Sequence, residues 1–422
     1  MKYIQMFEQD IRDKNVPTIQ PSSYFFMDPN YSGNWLVTGD LTGDGQLEFV
    51  SARNDNQIIK TIIAYNQKGE MLWHYGTPNT GTHKLGYDIP LQLYDLNNNG
   101  KCEVIFSERH YLAILNGEDG TEQKRYKLPD ELECSDCICF ANLSGNSYPS
   151  DIIIKSRYRK LWAYTSDWEL LWSWTPRWGR KTCHYPTPVD IDNDGRDEIF
   201  AGRVMLNHNG KKLWKIKSRK CKRRGHLDCV RIVSTGEKPE DFRFILSYCG
   251  AKYIALINGL GKVLWDDEDF HFESIDVGYF NEAYPAPQFY VDIDHLGFGK
   301  SLGFFYDLNG SRIGTIKLDY GRHHRTLDWT GNGLDEVVIA NELALVNGEG
   351  ERIARFQFKN QRQKFVINET EHQILFVSIC DLTGKGNGDI IFHTGDAVNI
   401  YLNPSDITGG QRRFDTENFT FY

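Results

Sequence analysis

Short apolar runs, each opened by an acid, punctuate this chain: Glu48-Phe-Val, Glu103-Val-Ile-Phe, Asp151-Ile-Ile-Ile, Glu198-Ile-Phe-Ala, Glu336-Val-Val-Ile and Asp389-Ile-Ile-Phe. Runs of this length, bounded by turn residues, predict buried strands rather than helices. The opening acid also ends a turn of fixed grammar. Its fullest copy is Asp190-Ile-Asp192-Asn-Asp194-Gly195-Arg196-Asp-Glu198, and weaker ones begin at Asp40, Asp95, Asp328 and Asp381. Asn142-Leu-Ser-Gly145 and Asp292-Ile-Asp294-His-Leu-Gly297 read as degraded copies, while Val230-Arg-Ile-Val-Ser with Phe242-Arg-Phe-Ile-Leu keeps two strands without the acids. That makes eight units, about 36 to 57 residues apart, the signature of one supersecondary unit repeated.

A second hairpin follows in nearly every unit, turning on Gly or Asn into a strand that often carries Trp: Gly69 before Trp73, Gly210 before Trp214, Gly261 before Trp265. Tight hairpin turns need positive φ, which Gly and Asn supply. Each unit is therefore a four-stranded meander. The predicted fold class is all-β: an eight-bladed β-propeller of four-stranded antiparallel blades, with seven blades left open if one weak unit is an insertion. One propeller domain spans residues 1–422, with 1–30 an N-terminal arm or ring-closing segment and Asn418-Phe-Thr-Phe-Tyr422 a strand that completes a blade. The 10 Trp, 22 Tyr and 24 Phe suit broad interfaces between blades.

Charge and cysteine use narrow the function class. A formal net charge of −9 argues against nucleic acid as a partner. No apolar run approaches the roughly 18 residues of a membrane helix, and the start lacks a signal peptide's apolar core, so a cytoplasmic location is expected. Nine cysteines, an odd number without a regular framework, fit reduced thiols.

Alternating oxygens around a glycine are what calcium needs. Asp190, Asp192, Asp194, the carbonyl of Arg196 and Glu198 form such a set; Asp40, Asp44 and Glu48 form a poorer one with Thr42 in the second place. Structural calcium is the expected cofactor. The other copies replace carboxylates by Asn97, Asn99, Thr330, Asn332, Thr383 and Lys385, and read as metal-free hydrogen-bonded turns. Zinc at Cys183, His184, Cys221, His226 and Cys229, or near Cys134, Cys137 and Cys139, is the less favoured reading beside buried thiols.

If the acidic turn joins the first two strands of a blade, the start of the first and the end of the second share the opposite face. His83, His184, His226, His323, His324 and His372 stand near first-strand starts; Arg53, Arg109, His110, Arg157, Tyr158, Arg159 and Arg203 follow second strands. Such a mouth would draw in an anion. Few acids share this phase, Glu108 and Glu342 being the obvious ones. His, Tyr and Arg together suit β-elimination next to a carboxylate, where charge must be neutralised while a proton is taken and another given. The expected catalytic set is His83 and His110 as base and acid candidates, Tyr158 as a second proton-transfer group and Arg177 as carboxylate clamp. Arg109, Arg157, Arg180, His184, Tyr185, Arg203, His226 and His324 are expected to bind substrate.

The phrases His184-Tyr-Pro-Thr-Pro-Val through Glu198-Ile-Phe-Ala-Gly202, Gly225-His226-Leu-Asp-Cys-Val and Gly321-Arg-His-His-Arg-Thr-Leu-Asp-Trp329 resemble rhamnogalacturonan lyases and their relatives. The likeness runs over roughly residues 30 to 422, although part of it is grammar shared with integrin-type propellers. It implies an eight-bladed propeller with calcium in its turns. Related ulvan and rhamnose-glucuronate lyases use His, Tyr and Arg, and the order His83, His110, Tyr158 is similar to theirs. The implied activity is a lyase on an acidic, uronate-containing oligosaccharide. A glycoside hydrolase, which normally needs two opposed carboxylates, and a non-catalytic glycan- or protein-binding propeller are the alternatives.

Overall fold

A computed structural model describes residues 6–12, 15–81, 88, 90–177, 180–218, 220, 225–294, 301–360, 364–367, 370–373 and 375–405. Eight antiparallel sheets of four strands follow one another along the chain, with first strands at Trp35–Gly39, Leu91–Tyr94, Ile138–Ala141, Thr187–Val189, Cys229–Ser234, His271–Gly278, His324–Leu327 and Phe376–Cys380. We number the blades 1 to 8 in that order. Helix among the described residues is limited to short 3-10 turns such as Pro239–Asp241 and Cys249–Ala251.

The N-terminal arm closes the ring. Phe7–Asp10 runs parallel to the outer strand of blade 6 and Thr18–Ile19 parallel to that of blade 7, before Ser23–Phe26 supplies the fourth strand of blade 8 against Ala397–Tyr401. Three sheet edges that would otherwise stay open are thereby covered. The strand expected at 418–422 lies outside the described residues.

Two devices explain the repeat. In the acidic turns the first Asp accepts the amide of the glycine five residues on, as Asp40 does from Gly45 (2.8 Å), Asp190 from Gly195 (2.9 Å) and Asp381 from Gly386 (2.8 Å). The closing acid is buried and caps the turn from below: Glu48 accepts from Leu41 N (2.8 Å), Glu103 from Leu96 N (2.9 Å), Asp151 from Leu143 N (2.7 Å), Glu336 from Trp329 N (2.8 Å). Both acids thus have backbone donors within the turn.

The second device joins neighbouring blades. An outer-strand aromatic ring lies on the left-handed residue of the next blade's hairpin, where a Cβ on Gly120 would stand 2.5 Å from Trp73, on Gly210 2.7 Å from Trp172 and on Gly310 2.5 Å from Trp265. Trp73, Trp172 and Trp265 also donate Nε1–H to carbonyls of that next hairpin. Between blades 2 and 3 the sizes are exchanged: Trp168 (φ 68°) holds the left-handed position and stacks between Tyr126 and Tyr164.

One expected repeat is out of phase. Asp292 belongs to the second strand of blade 6 (Gln288–Asp294), so the segment after it joins second to third strand and is not an acidic turn. Asp292 is buried and accepts Ser274 N, 2.7 Å, which makes it part of the blade interior.

Candidate functional site

Antiparallel order alone sends the acidic turns to one face of the ring and the first-strand starts and second-strand ends to the other. On that second face, blades 2 to 6 bring a dense polar cluster together. Asp88 precedes the first strand of blade 2; Asp136 precedes that of blade 3, whose second strand (Asp151–Ser156) carries Lys155 and leads into Arg157 and Tyr158. His184 precedes blade 4, and His226 and Asp228 precede blade 5.

Tyr158 is the centre. Its hydroxyl lies 2.9 Å from His184 Nε2 and 3.1 Å from His226 Nε2, and accepts from Arg157 Nη2 at 3.1 Å. His184 Nδ1 faces Asp88 Oδ1 at 2.6 Å. A carboxylate only accepts, so Nδ1 carries a proton; in the neutral imidazole Nε2 is then the acceptor for the Tyr158 hydroxyl, with Asp228 Oδ1 3.5 Å from it. His226 Nε2 lies 2.8 Å from Asp228 Oδ1 and by the same logic is a donor. Tyr158 thus gives one hydrogen bond to His184, receives one from Arg157 and shares the single His226 Nε2–H with Asp228. Its backbone sits at φ 60°, in the left-handed region that a bulky side chain enters at a cost of order 1 kcal/mol or more. Lys181 Nζ lies 4.7 Å from the ring centroid.

Burial governs the electrostatics. It would raise Asp88, but His184, Lys155 and Arg157 outweigh it and hold that carboxyl well below its usual range. Burial likewise opposes the Lys155 ammonium, yet Asp136 and Asp88 keep it charged. Desolvation pushes the Tyr158 phenol above its ordinary value despite Arg157, so the hydroxyl keeps its proton at rest. The same loss of water lowers His226, against the pull of Asp228.

A second group adjoins the first. Cys249 Sγ is 3.0 Å from Asp228 Oδ1, and Glu273 receives His271 and Arg322, each at 2.7 Å. A register shift between Phe272 and Ile275 marks a bulge at this point, a device that re-aims side chains. Burial raises Glu273, but Arg322 and His271 bring it down to about 2. Two sets of donor atoms here converge within 4.8 Å of one another: His184, His226 and Asp228, and Cys249, His271 and Glu273. The third such set, Asp190, Asp192 and Asp194, lies on the opposite face. The Asp40 loop uses its acids as the Asp190 loop does, Asp40 accepting three backbone amides and Asp44 turned to Gln46 N, as Asp194 is to Arg196 N.

The residues expected from sequence divide clearly. Tyr158, Arg157, His184 and His226 meet. His83 lies outside the described residues. His110 (φ 64°) is an exposed turn residue beyond the second strand of blade 2 and does not join the Tyr158 contacts; neighbouring Arg109 pairs with Glu133 at 3.2 Å. Arg177 and Arg180 are exposed on the segment leading to blade 4. Tyr185 is half-buried with its hydroxyl 3.5 Å from Ile138 O. Arg203 donates to the carbonyls of Ile216 and Ser218, and His324 is enclosed between Asp276 and Asp292 at 2.7 and 3.3 Å, a place in the blade interior. Cys183 and Cys229 point their sulfurs at backbone carbonyls of Phe200 and Ile275, away from the imidazoles, and Cys221 lies outside the described residues. The eight described cysteines are free thiols.

The expectation of few acids on this face is corrected: Asp88, Asp136, Asp228 and Glu273 are all there, and all buried. For Asp228 and Glu273 the signal was His226-Leu-Asp228 and His271-Phe-Glu273, where extended alternation puts both side chains on one side.

No family model matches the chain. The rhamnogalacturonan endolyase YesW of Bacillus subtilis is 26% identical over an alignment covering 88% of this chain and 67% of that protein. A rhamnogalacturonan lyase of Bacillus licheniformis superposes with a TM-score of 0.66 at 17% identity, covering 96% of this chain and 78% of that one. The chain is a β-propeller similar in sequence and in fold to rhamnogalacturonan lyases. The shape is shared more widely, since the Vibrio cholerae biofilm matrix protein Bap1 superposes with a TM-score of 0.59 at 13% identity over 92% of both chains. Fold alone therefore does not choose a function, and the choice falls to the side chains on the face opposite the acidic turns. No helix is long and apolar enough to cross a membrane.

Proposed function

We propose that this chain is a polysaccharide lyase that opens a uronate glycosidic bond by β-elimination, with rhamnogalacturonan-type chains as its substrate class. The reading is carried by one observation: the Tyr158 hydroxyl, held by His184, His226 and Arg157. In the elimination, Tyr158 takes the proton α to the carboxylate as its own hydroxyl proton moves to His184 Nε2. Asp88 then faces an imidazolium, a charge it stabilises. The bond to the leaving oxygen breaks, a carbon–carbon double bond forms, and the proton returns through the same pair to that oxygen. Arg157 and Lys181 offer positive charge to the substrate carboxylate as electron density builds on it.

The relatives' names support the reaction class and the substrate class. The buried acids do not support hydrolysis: Asp88 and Asp228 are engaged by the imidazoles, not opposed across an open gap. In a second reading of the same cluster His184, His226 and Asp228 would hold a divalent cation, which would supply the charge neutralisation otherwise assigned to Arg157. We assign structural calcium first to the Asp190 loop, where Asp192 converges with two further carboxylates, and second to the poorer set Asp40, Asp44 and Glu48. The free thiols support a reducing compartment.

The test is incubation with rhamnogalacturonan and its oligosaccharides while the near-ultraviolet absorbance of an unsaturated uronate is followed. Products one water heavier and without that chromophore would mean hydrolysis, and no products from an acidic-glycan panel would mean a binding propeller.

A further inference from the structure

The second strands of the eight blades share one register, because the first residue of each faces the last residue of the blade's inner strand, as in Glu48 opposite Gly39, Asp151 opposite Ala141 and Asp389 opposite Cys380. Four residues further on stand Ala52, Ser107, Lys155, Gly202, Ser247, Asp292, Ala340 and His393. Five of these are small. The architecture therefore asks for little volume here, and the lysine of blade 3 departs from it, as Asp292 and His393 do in blades 6 and 8. Its side chain has no exposed surface. Burying an ammonium costs several kcal/mol that an alanine or serine would not, and nothing in the repeat requires it.

What Lys155 touches gives the reason. Nζ donates to Asp136 Oδ2 at 2.5 Å and lies 3.9 Å from Asp88 Oδ2, while Arg157 Nη1 stands 3.8 Å from that same oxygen. The other oxygen of Asp88 receives His184 Nδ1. The backbone of Lys155 is held too, its N–H donating to Ser135 Oγ at 3.1 Å and its carbonyl accepting from Ser135 Oγ at 3.2 Å. Blades 2, 3 and 4 each contribute one member of the chain Asp88, Lys155, His184, so no single blade could orient the imidazole.

We infer that Lys155, anchored by Asp136, is a positioning residue that fixes the Asp88 carboxylate and through it the orientation and tautomer of His184. The inference rests on the Tyr158 reading for its consequence in catalysis but not for its geometry. Without the ammonium, Asp88 is free to turn toward Arg157, and His184 loses the partner that keeps its proton on Nδ1. Nε2 then no longer presents a lone pair to Tyr158.

The experiment has two arms. Nitrogen-15 NMR of the unmodified protein, with His184 assigned by substitution, should show one tautomer with the proton on Nδ1, and a proton on Nε2 instead would overturn the inference. Lys155→Met keeps the length of the side chain without its charge. The folded variant should show mixed His184 tautomers and a kcat lowered by about 10- to 100-fold with KM within about two-fold, and Lys155→Arg should recover part of the loss. A folded Lys155→Met with unchanged tautomer and unchanged kcat would also overturn it. If Lys155→Met does not fold, Asp136→Asn takes its place, with the same spectral change expected and an unchanged tautomer counting against. Should the protein cleave no glycan at all, the elimination reading fails, while the spectra still decide the role of Lys155.

Discussion

The two faces of the ring are built from the same strands by opposite rules. On the acidic-turn face the opening Asp and the closing acid of a turn are met by backbone amides of their own loop, so these contacts are local and can be repeated blade after blade. On the other face the contacts run between side chains of different blades: Asp88 of blade 2 to His184 of blade 4, and Tyr158 of blade 3 to His226 of blade 5. Local satisfaction makes a scaffold; cross-blade satisfaction makes a site particular to its sector of the ring. Substitutions on the two faces should accordingly differ in kind.

The largest effect is expected at the centre of the mouth. Tyr158→Phe should lower kcat by about 10²- to 10⁴-fold, with the melting temperature little changed, as read from product absorbance and thermal unfolding. A Tyr158→Phe enzyme of wild-type activity would remove the site from this face. Next in size is the pH response of the blade 6 to 7 interior. Burial opposes a charged His324, but Asp276 and Asp292 raise it to about 9. A raised histidine stabilises the fold fully below the ordinary value near 6.5 and loses that contribution as pH climbs through about 9. Stability to urea should therefore fall over that window by on the order of a few kcal/mol, and His324→Gln should flatten the dependence.

Between the blades, Gly210→Ala sets a Cβ against the Trp172 ring at a φ of 71°. A loss of about 1–3 kcal/mol in urea unfolding is expected, with activity per folded molecule unchanged. The smallest effect belongs to the Asp190 loop. Calcium should raise the melting temperature by a few degrees at concentrations well above its Kd, and Asp192→Asn should remove most of that shift without changing kcat. A large activity loss in Asp192→Asn would erase the distinction between the faces.

Much of this was legible beforehand. The acidic turns, the Trp-bearing hairpins and the four-stranded period are local patterns, and they led to eight blades and to the phase that places the histidines opposite the acids. Asp292 was misread because its Asp-x-Asp text imitates the turn grammar while its strand register does not. Asp88, Asp136 and Lys155 escaped notice for another reason. A lone lysine after three isoleucines, or an aspartate in a connecting segment, has no partner within reach along the chain.

By itself the sequence determined the elements, because strand alternation, positive-φ turns and self-capping carboxylates are satisfied within a few residues. Only the closed ring decided the site. Tyr158, His184, Asp88 and His226 lie up to 138 residues apart and meet because the circular arrangement turns second-strand ends and first-strand starts toward one opening. Burial there, which no single blade provides, gives their charges and protons the order described here.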